Sequence, residues 1–154
     1  MLWSADVTEA VVCLGSNVGD RSFYLRSALE MLADMPTTRF LRASSVSETE
    51  PVGVPAGFEN LKFLNQIALF ATELSPEEFS RRMHAVEDKL GRLRVIKNGP
   101  RTIDIDLIDF GGIKRNTPEL VLPHPRALER DFVIRPLKEI GFDIEKLSSC
   151  FCEE

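Results

Sequence analysis

The stretch "GPRTIDIDLIDFGG", residues 99–112, carries two carboxylates, Asp104 and Asp106, at alternate positions. In a strand such positions share a face, so Ile103, Ile105 and Leu107 point to a core while both aspartates point the other way. Carboxylates that close raise each other's pKa unless a cation lies between them. Cations are at hand: Arg92, Arg94, Lys97 and Arg101 precede the pair, and His124, Arg126 and Arg130 follow it. A salt-bridge network on a solvated edge strand has this composition. So does a magnesium–polyphosphate site, in which the metal takes one or two carboxylates plus phosphate oxygens and arginine forks grip the phosphates.

Two further residues break their local rules. Asn65 sits inside the apolar run "FLNQIAL", where a buried amide must find partners, either in the core or on the edge of a heterocycle. His124, in "LPHPR", has a backbone fixed by its flanking prolines and arginines nearby, which suits contact with an anion. By contrast "LGSNVGDR" lacks the lysine of a phosphate-binding loop and reads as a strand-to-helix turn.

The elements that must position these groups are legible in outline. "EAVVCLGSN" predicts a strand that enters a turn at Gly15–Gly19. Apolar residues at 25, 28, 29 and 32 predict a helix that Pro36 ends. A second strand is expected in "RFLRASSVSETEP", then a Pro/Gly loop, then a central strand in "KFLNQIALFATEL". Ser75 as N-cap, Pro76 and Glu78 as a capping box open a helix whose stripe is Phe79, Met83, Val86 and Leu90, closed by Gly91. A basic loop leads to the strand "TIDIDLIDF", and Gly111-Gly112 predicts a hairpin turn. Loop and short helix follow to residue 141. A βαββαβ order with antiparallel pairing predicts an α+β sandwich.

Length and composition narrow the class. The chain has 154 residues, a net charge of −5 and 44% hydrophobic residues. One globular domain over 1–154 is expected, with a core over 10–142 and a C-terminal tail over 143–154. The acidic balance argues against nucleic acid as partner. No apolar run is long enough for a membrane span. Three cysteines without a framework, Cys13, Cys150 and Cys152, suit a reducing compartment, so a cytoplasmic chain without membrane or nucleic-acid partners is expected.

Taken together, "CLGSNVGDR", "SSVSETEPVG", "FLNQIAL", "GPRTIDIDLIDFGG" and "LPHPRALERDFVIRPLKEI" resemble, in order and spacing, the 6-hydroxymethyl-7,8-dihydropterin pyrophosphokinases of folate biosynthesis. The resemblance covers roughly residues 10–142. It implies a ferredoxin-like α/β sandwich, mainly antiparallel, with helices on the sheet's faces. It implies transfer of pyrophosphate from ATP, with two magnesium ions, to the pterin hydroxymethyl group, by a monomer. Carried onto this chain, Asp104 and Asp106 would hold the metals, with Arg92 and Arg101 as catalytic arginines. His124 and Arg130 would contact the triphosphate, Arg94 would do so from a mobile loop, and Glu87 would face the nucleotide. Asn65 would read the pterin edge with groups near Thr49 and Val52, and Phe63 and Phe132 would sandwich the ring. His84 stands where some relatives carry a glutamine near the adenine. Two other classes share the expected topology: a small-molecule sensor, which would not need the acid pair beside arginines, and an RNA-binding module, which the acidic charge disfavours.

Overall fold

From Ala10 to Ser16 every residue of the first strand is buried on both faces, which marks a strand inside a sheet rather than at its rim. The computed structural model describes residues 6–51, 56–57, 60–91 and 102–147. In it the first strand, β1 (Thr8–Ser16), lies between β4 (Phe63–Thr72) and β5 (Asp104–Phe110), antiparallel to both. The strand β2 (Thr38–Ala43) pairs with the far side of β4, giving the order β2-β4-β1-β5. With α1 (Arg21–Ala33) between β1 and β2, and α2 (Pro76–Lys89) between β4 and β5, this is the split βαβ arrangement of a ferredoxin-like sandwich.

Local chemistry explains the two helices. The Asp20 carboxylate accepts the Phe23 N–H at 3.1 Å and starts α1, which buries Leu25, Ala28 and Leu32. The Ser75 hydroxyl accepts the Glu78 N–H at 3.1 Å and starts α2. Only half of the expected capping box forms, because the Glu78 carboxylate pairs with Arg81 and Arg82 instead. Both helices cover one face of the sheet, where Phe70, Phe79 and Phe110 meet Val12, Leu14 and Ile105.

The other face carries Val11, Cys13, Ile67, Leu69 and Ile108, and α3 (Asp131–Glu139) covers part of it with Val133 and Leu137. The Glu139 carboxylate moors α3 to the sheet by accepting from the Ser45 N–H at 2.6 Å and hydroxyl at 2.8 Å. Ile144 and Leu147 pack into the same layer, so the core runs past residue 142 into the expected tail.

Three boundaries differ from expectation. The second strand is two pieces, β2 and β3 (Ser47–Thr49), which both pair with β4. The register slips between Phe40 and Arg42, and no local pattern announces such an irregularity. Gly15 belongs to β1, and the turn begins only after Ser16. Gly111 and Gly112 do turn the chain, at φ +59° and +75°, but they do not join a hairpin. Instead β6 (Arg115–Asn116) pairs with β7 (Val121–Leu122) in a separate ribbon. Among the described residues no helix is long and apolar enough to cross a membrane.

Candidate active site

On the α3-side face of the sheet the register dictates what stands at the Gly15 end of β1. Asn65 on β4 and Asp104 on β5 both pair with Gly15 of β1, so amide, glycine and carboxylate form one row across three strands. The next row is Ile67, Cys13 and Asp106. Asp104 and Asp106 are half-buried, while Ile103, Ile105 and Leu107 are buried against the opposite face. The two aspartates therefore stand together on the site face, as the alternation predicts. Burial first, then the fields of Asp106 and Asp104, push the Cys13 thiol far up, so it stays protonated and forms an inert floor.

Asn65 is only 5% exposed, and its amide is polarised by one bond. Its Nδ2 donates to the Thr49 hydroxyl at 2.6 Å, and its Oδ1 overhangs Gly15. Thr49 is in place because β3 pairs with β4 at Thr49–Phe63, next to Ser47–Asn65. Arg21 secures that corner, bridging the Glu48 carboxylate and the Lys62 carbonyl, each at 2.9 Å. Phe63 lies one row beyond Asn65, half-buried on the same face.

His124, Arg130 and Phe132 approach the face from the segment that precedes and opens α3. The His124 N–H donates to the Ile108 carbonyl at 2.8 Å, which docks this segment on β5. The ring's Nδ1 accepts the Arg126 N–H at 3.2 Å, so in the neutral ring the proton is on Nε2. Burial, then the Arg130 guanidinium, hold His124 below its ordinary value of 6.5, with Asp104 acting the other way. The Arg130 guanidinium carbon lies 5.5 Å from the centre of the Phe132 ring, a cation–π contact. Arg130 forms no ion pair among the described residues, which leaves its charge available to an anion. Phe63 and Phe132 make no ring contact with each other.

Glu87 has partners on the strand as well as on its own helix. It is 1% exposed and lies on α2, which packs against the face opposite the aspartates. Its Oε2 accepts the Ile105 N–H at 2.8 Å, and its Oε1 bonds His84 Nδ1 at 2.7 Å. It stands one turn before Gly91, and its carboxylate bonds the strand that carries the acid pair. Arg92, Arg94, Arg101 and Val52 lie outside the described residues.

Among the described residues no three His, Cys, Asp or Glu side chains gather into a metal cage. Asp109 is no third ligand: it is buried, its carboxyl is held above the usual range by desolvation, and it accepts the Gly112 N–H at 3.3 Å. Two hard carboxylates, half-buried on one face, suit a magnesium ion that completes its shell with phosphate oxygens and water. The place of Gly15 inside β1 was not legible in the sequence. A mid-strand glycine marks close approach of another group, but Gly15 passes for part of the turn that Gly19 makes.

Comparison with known proteins bears on the whole arrangement. Residues 11–142 match the family model described as 7,8-dihydro-6-hydroxymethylpterin-pyrophosphokinase (HPPK). The chain is 40% identical over 137 residues to a 2-amino-4-hydroxy-6-hydroxymethyldihydropteridine pyrophosphokinase of Bacillus subtilis, covering 89% of this chain and 80% of that one. It is 38% identical over 138 residues to a protein of the same description from Methylorubrum extorquens, covering 90% and 85%. In fold it resembles the crystal structure of Plasmodium falciparum HPPK-DHPS with pteroate, at a TM-score of 0.66 and 13% identity. That match covers 94% of this chain and 42% of the longer protein.

Proposed function

The chain belongs to the 7,8-dihydro-6-hydroxymethylpterin-pyrophosphokinase family, and from that premise we propose how its own residues divide the reaction. It is a diphosphokinase of folate biosynthesis that transfers pyrophosphate from ATP to 6-hydroxymethyl-7,8-dihydropterin. The hydroxymethyl oxygen bonds to the β-phosphorus, the bond from that phosphorus to the α–β bridging oxygen breaks, and AMP leaves with that oxygen. The group transferred is anionic throughout, so positioning and charge neutralisation supply most of the catalysis.

The observation that carries the division of roles is the row Asn65–Gly15–Asp104, which sets a heterocycle reader and a metal carboxylate on one face two strands apart. At the β4 end Asn65 Oδ1 accepts a donor from the pterin edge, with Thr49 orienting the amide, and Val52 is assigned to the same substrate. Phe63 and Phe132 stack on the two faces of the ring. At the β5 end Asp104 and Asp106 hold two magnesium ions together with the triphosphate. When bound, the ions neutralise phosphate charge and acidify the hydroxymethyl group. His124 donates Nε2–H to a phosphate oxygen, and Arg130 adds a full charge, as do Arg92, Arg94 and Arg101 from the basic loop. Glu87 acts as a positioning residue by holding Ile105, the residue between the two aspartates.

The test is AMP release from ATP and magnesium, with and without reduced hydroxymethylpterin. Release that depends on the pterin is expected. Release at the same rate without it would sink the assignment.

A further inference from the structure

We propose that Glu139 is a positioning residue: its clasp on Ser45, at the break between β2 and β3, sets where the opposite end of α3 holds Phe132. The inference rests on the function proposed above, in which Phe132 stacks on the pterin ring. It concerns what places that ring, not what the ring binds.

Glu139 breaks a local rule. It stands in the last turn of α3, where the helix dipole disfavours an anion. Among the described residues it forms no ion pair. Its carboxylate takes two bonds from one residue instead, from the Ser45 N–H at 2.6 Å and from the Ser45 hydroxyl at 2.8 Å. Two short bonds to one carboxylate fix direction as well as distance.

Ser45 offers both donors because of the way the second strand breaks. Ser44, 4% exposed, is locked onto β4. Its N–H donates to the Ile67 carbonyl at 2.8 Å, and its hydroxyl accepts the Ile67 N–H at 3.0 Å. Its carbonyl accepts from Gln66 Nε2 at 2.8 Å. The hydroxyl thus takes the bond that the strand's carbonyl would take in a continuous ladder. Pairing with β4 resumes at Ser47, and the Ser45 N–H goes to Glu139. Ile67 shares its row with Cys13 and Asp106, so the clasp is pinned beside the row that carries one of the two aspartates.

Clasp and site residue lie at the two ends of one short rod. The nine residues of α3 measure about 14 Å. The chain that leads into it is docked on β5 by the His124 N–H. From β5 to the break there are three strand spacings, also about 14 Å. The helix therefore has a mooring at each side of the sheet. Between the moorings Val133 and Leu137 pack against Val11, Ile67 and Leu69, and apolar contact has no direction of its own. Phe132 and Glu139 are seven residues apart, nearly two turns, so they share one side of α3. A roll at the clasp therefore turns Phe132 by the same angle. Pro136 adds to the need, because it has no N–H to give the Phe132 carbonyl four residues before it.

The experiment uses Glu139→Gln, Glu139→Asp and Glu139→Ala in the full chain. Glutamine keeps the reach and loses the charge: its carbonyl accepts the Ser45 N–H and its amide donates to the Ser45 hydroxyl. Aspartate keeps the charge and is one methylene too short. Calorimetric titration with reduced hydroxymethylpterin is run where thermal melting shows every variant folded. Glu139→Gln should bind the pterin within twofold of wild type. Glu139→Asp and Glu139→Ala should each lose at least fivefold, since a misplaced contact costs steeply in fit. Should Glu139→Ala fail to fold, the Gln and Asp pair carries the test. Pterin affinity within twofold of wild type in Glu139→Asp would overturn the proposal, even with a lowered melting temperature, because the clasp would then be structural only. Equal losses in Gln and Asp would overturn it too, since charge rather than reach would be at work. In a Phe132→Leu background, Glu139→Asp should add less than twofold; a full further loss would mean that Glu139 acts elsewhere, and the proposal would fail. Wild-type protein that releases no pterin-dependent AMP would instead count against the function itself, so the two failures are distinct.

Discussion

Replacing Glu87 separates two accounts of that residue. As a nucleotide contact, it would tolerate loss of its charge with no change in stability. As the clamp on β5, it would not tolerate loss of its acceptor. The carboxylate is 1% exposed and accepts the Ile105 N–H at 2.8 Å, from a residue that is itself 1% exposed. Glu87→Ala leaves that buried amide without its charged acceptor, a loss of about 2–3 kcal/mol. The His84 end counts for little, because that ring is exposed and exchanges its partner for water. For a chain of this length the loss lowers the melting temperature by about 4–12 °C. Ile105 stands between Asp104 and Asp106, so a strand that shifts there moves both carboxylates, and a misplacement of about 1 Å costs on the order of 100-fold in rate. Glu87→Gln keeps a carbonyl oxygen at the same reach. It should retain most of the stability and turn over within a few-fold of wild type. The assays are urea and thermal unfolding, with AMP release at saturating and limiting ATP. If Glu87→Gln raises KM for ATP while both variants melt like wild type, the clamp reasoning is wrong and Glu87 touches the nucleotide.

Asp104→Ala and Asp106→Ala should each cut turnover by several orders of magnitude while melting near wild type, because both side chains stand on the site face and outside the core; near wild-type AMP release in either would remove it from the metal assignment. Asn65→Leu should lower pterin affinity by about 1–3 kcal/mol per lost partner, leave nucleotide binding little changed and free the Thr49 hydroxyl, all read by titration of each ligand; unchanged pterin affinity with early melting would make Asn65 a structural amide. His124 carries the pH dependence. Its folded-state pKa is held below 6.5, so the unfolded chain binds the proton more readily and stability falls as pH drops from about 6.5 towards the folded value. His124→Gln should flatten that slope in urea unfolding, and an equal slope in both proteins would refute the assignment to this residue.

The acid pair was legible because a period of two is local: Ile103, Ile105 and Leu107 announce the core face, and Asp104 and Asp106 must take the other. The Ser75 cap of α2 was legible for the same reason. Glu87 was not, since nothing within α2 says which strand its buried side will meet. Its position near the end of α2 suggests the ligand, and only packing of α2 against Ile105 assigns it to β5. Gly15 was hidden by its neighbours, because a glycine five residues before the aspartate that caps α1 looks like a turn until its pairing with Asn65 and Asp104 is known. The division of the second strand into β2 and β3 depends on a slip in pairing with β4, which is a property of two segments and not of one.

The register of β5 is the point on which fold and chemistry meet. A slip of one residue would turn Ile105 to the site and bury Asp104 and Asp106 against α2. A sheet edge, with pairing on one side only, is where such slips are least resisted, and β5 is at the edge of the described sheet. Three side-on contacts compensate. The Thr102 hydroxyl donates to the Leu90 carbonyl at 3.0 Å, where the strand begins. Glu87 holds the Ile105 N–H, and the His124 N–H holds the Ile108 carbonyl. The last two are chemically opposite, an acceptor for the outward amide of Ile105 and a donor for the outward carbonyl of Ile108, so together they cover the edge, while the alternation of apolar and acidic side chains sets which residues face the core. Between them and the turn, the pairing with β1 shifts at Val11/Val12, where Leu107 and Asp109 face consecutive residues of β1. That irregularity takes up one residue, which lets Leu107 and Phe110 both reach the α1–α2 side although three positions separate them. The strand thus serves two frames, one for the site and one for the core, and the contacts at Ile105 and Ile108 keep them aligned. His124 supplies one of those contacts through its backbone, and its ring, with Nδ1 taken up by the Arg126 N–H, is carried by the same segment, so what covers the edge of β5 also positions the imidazole.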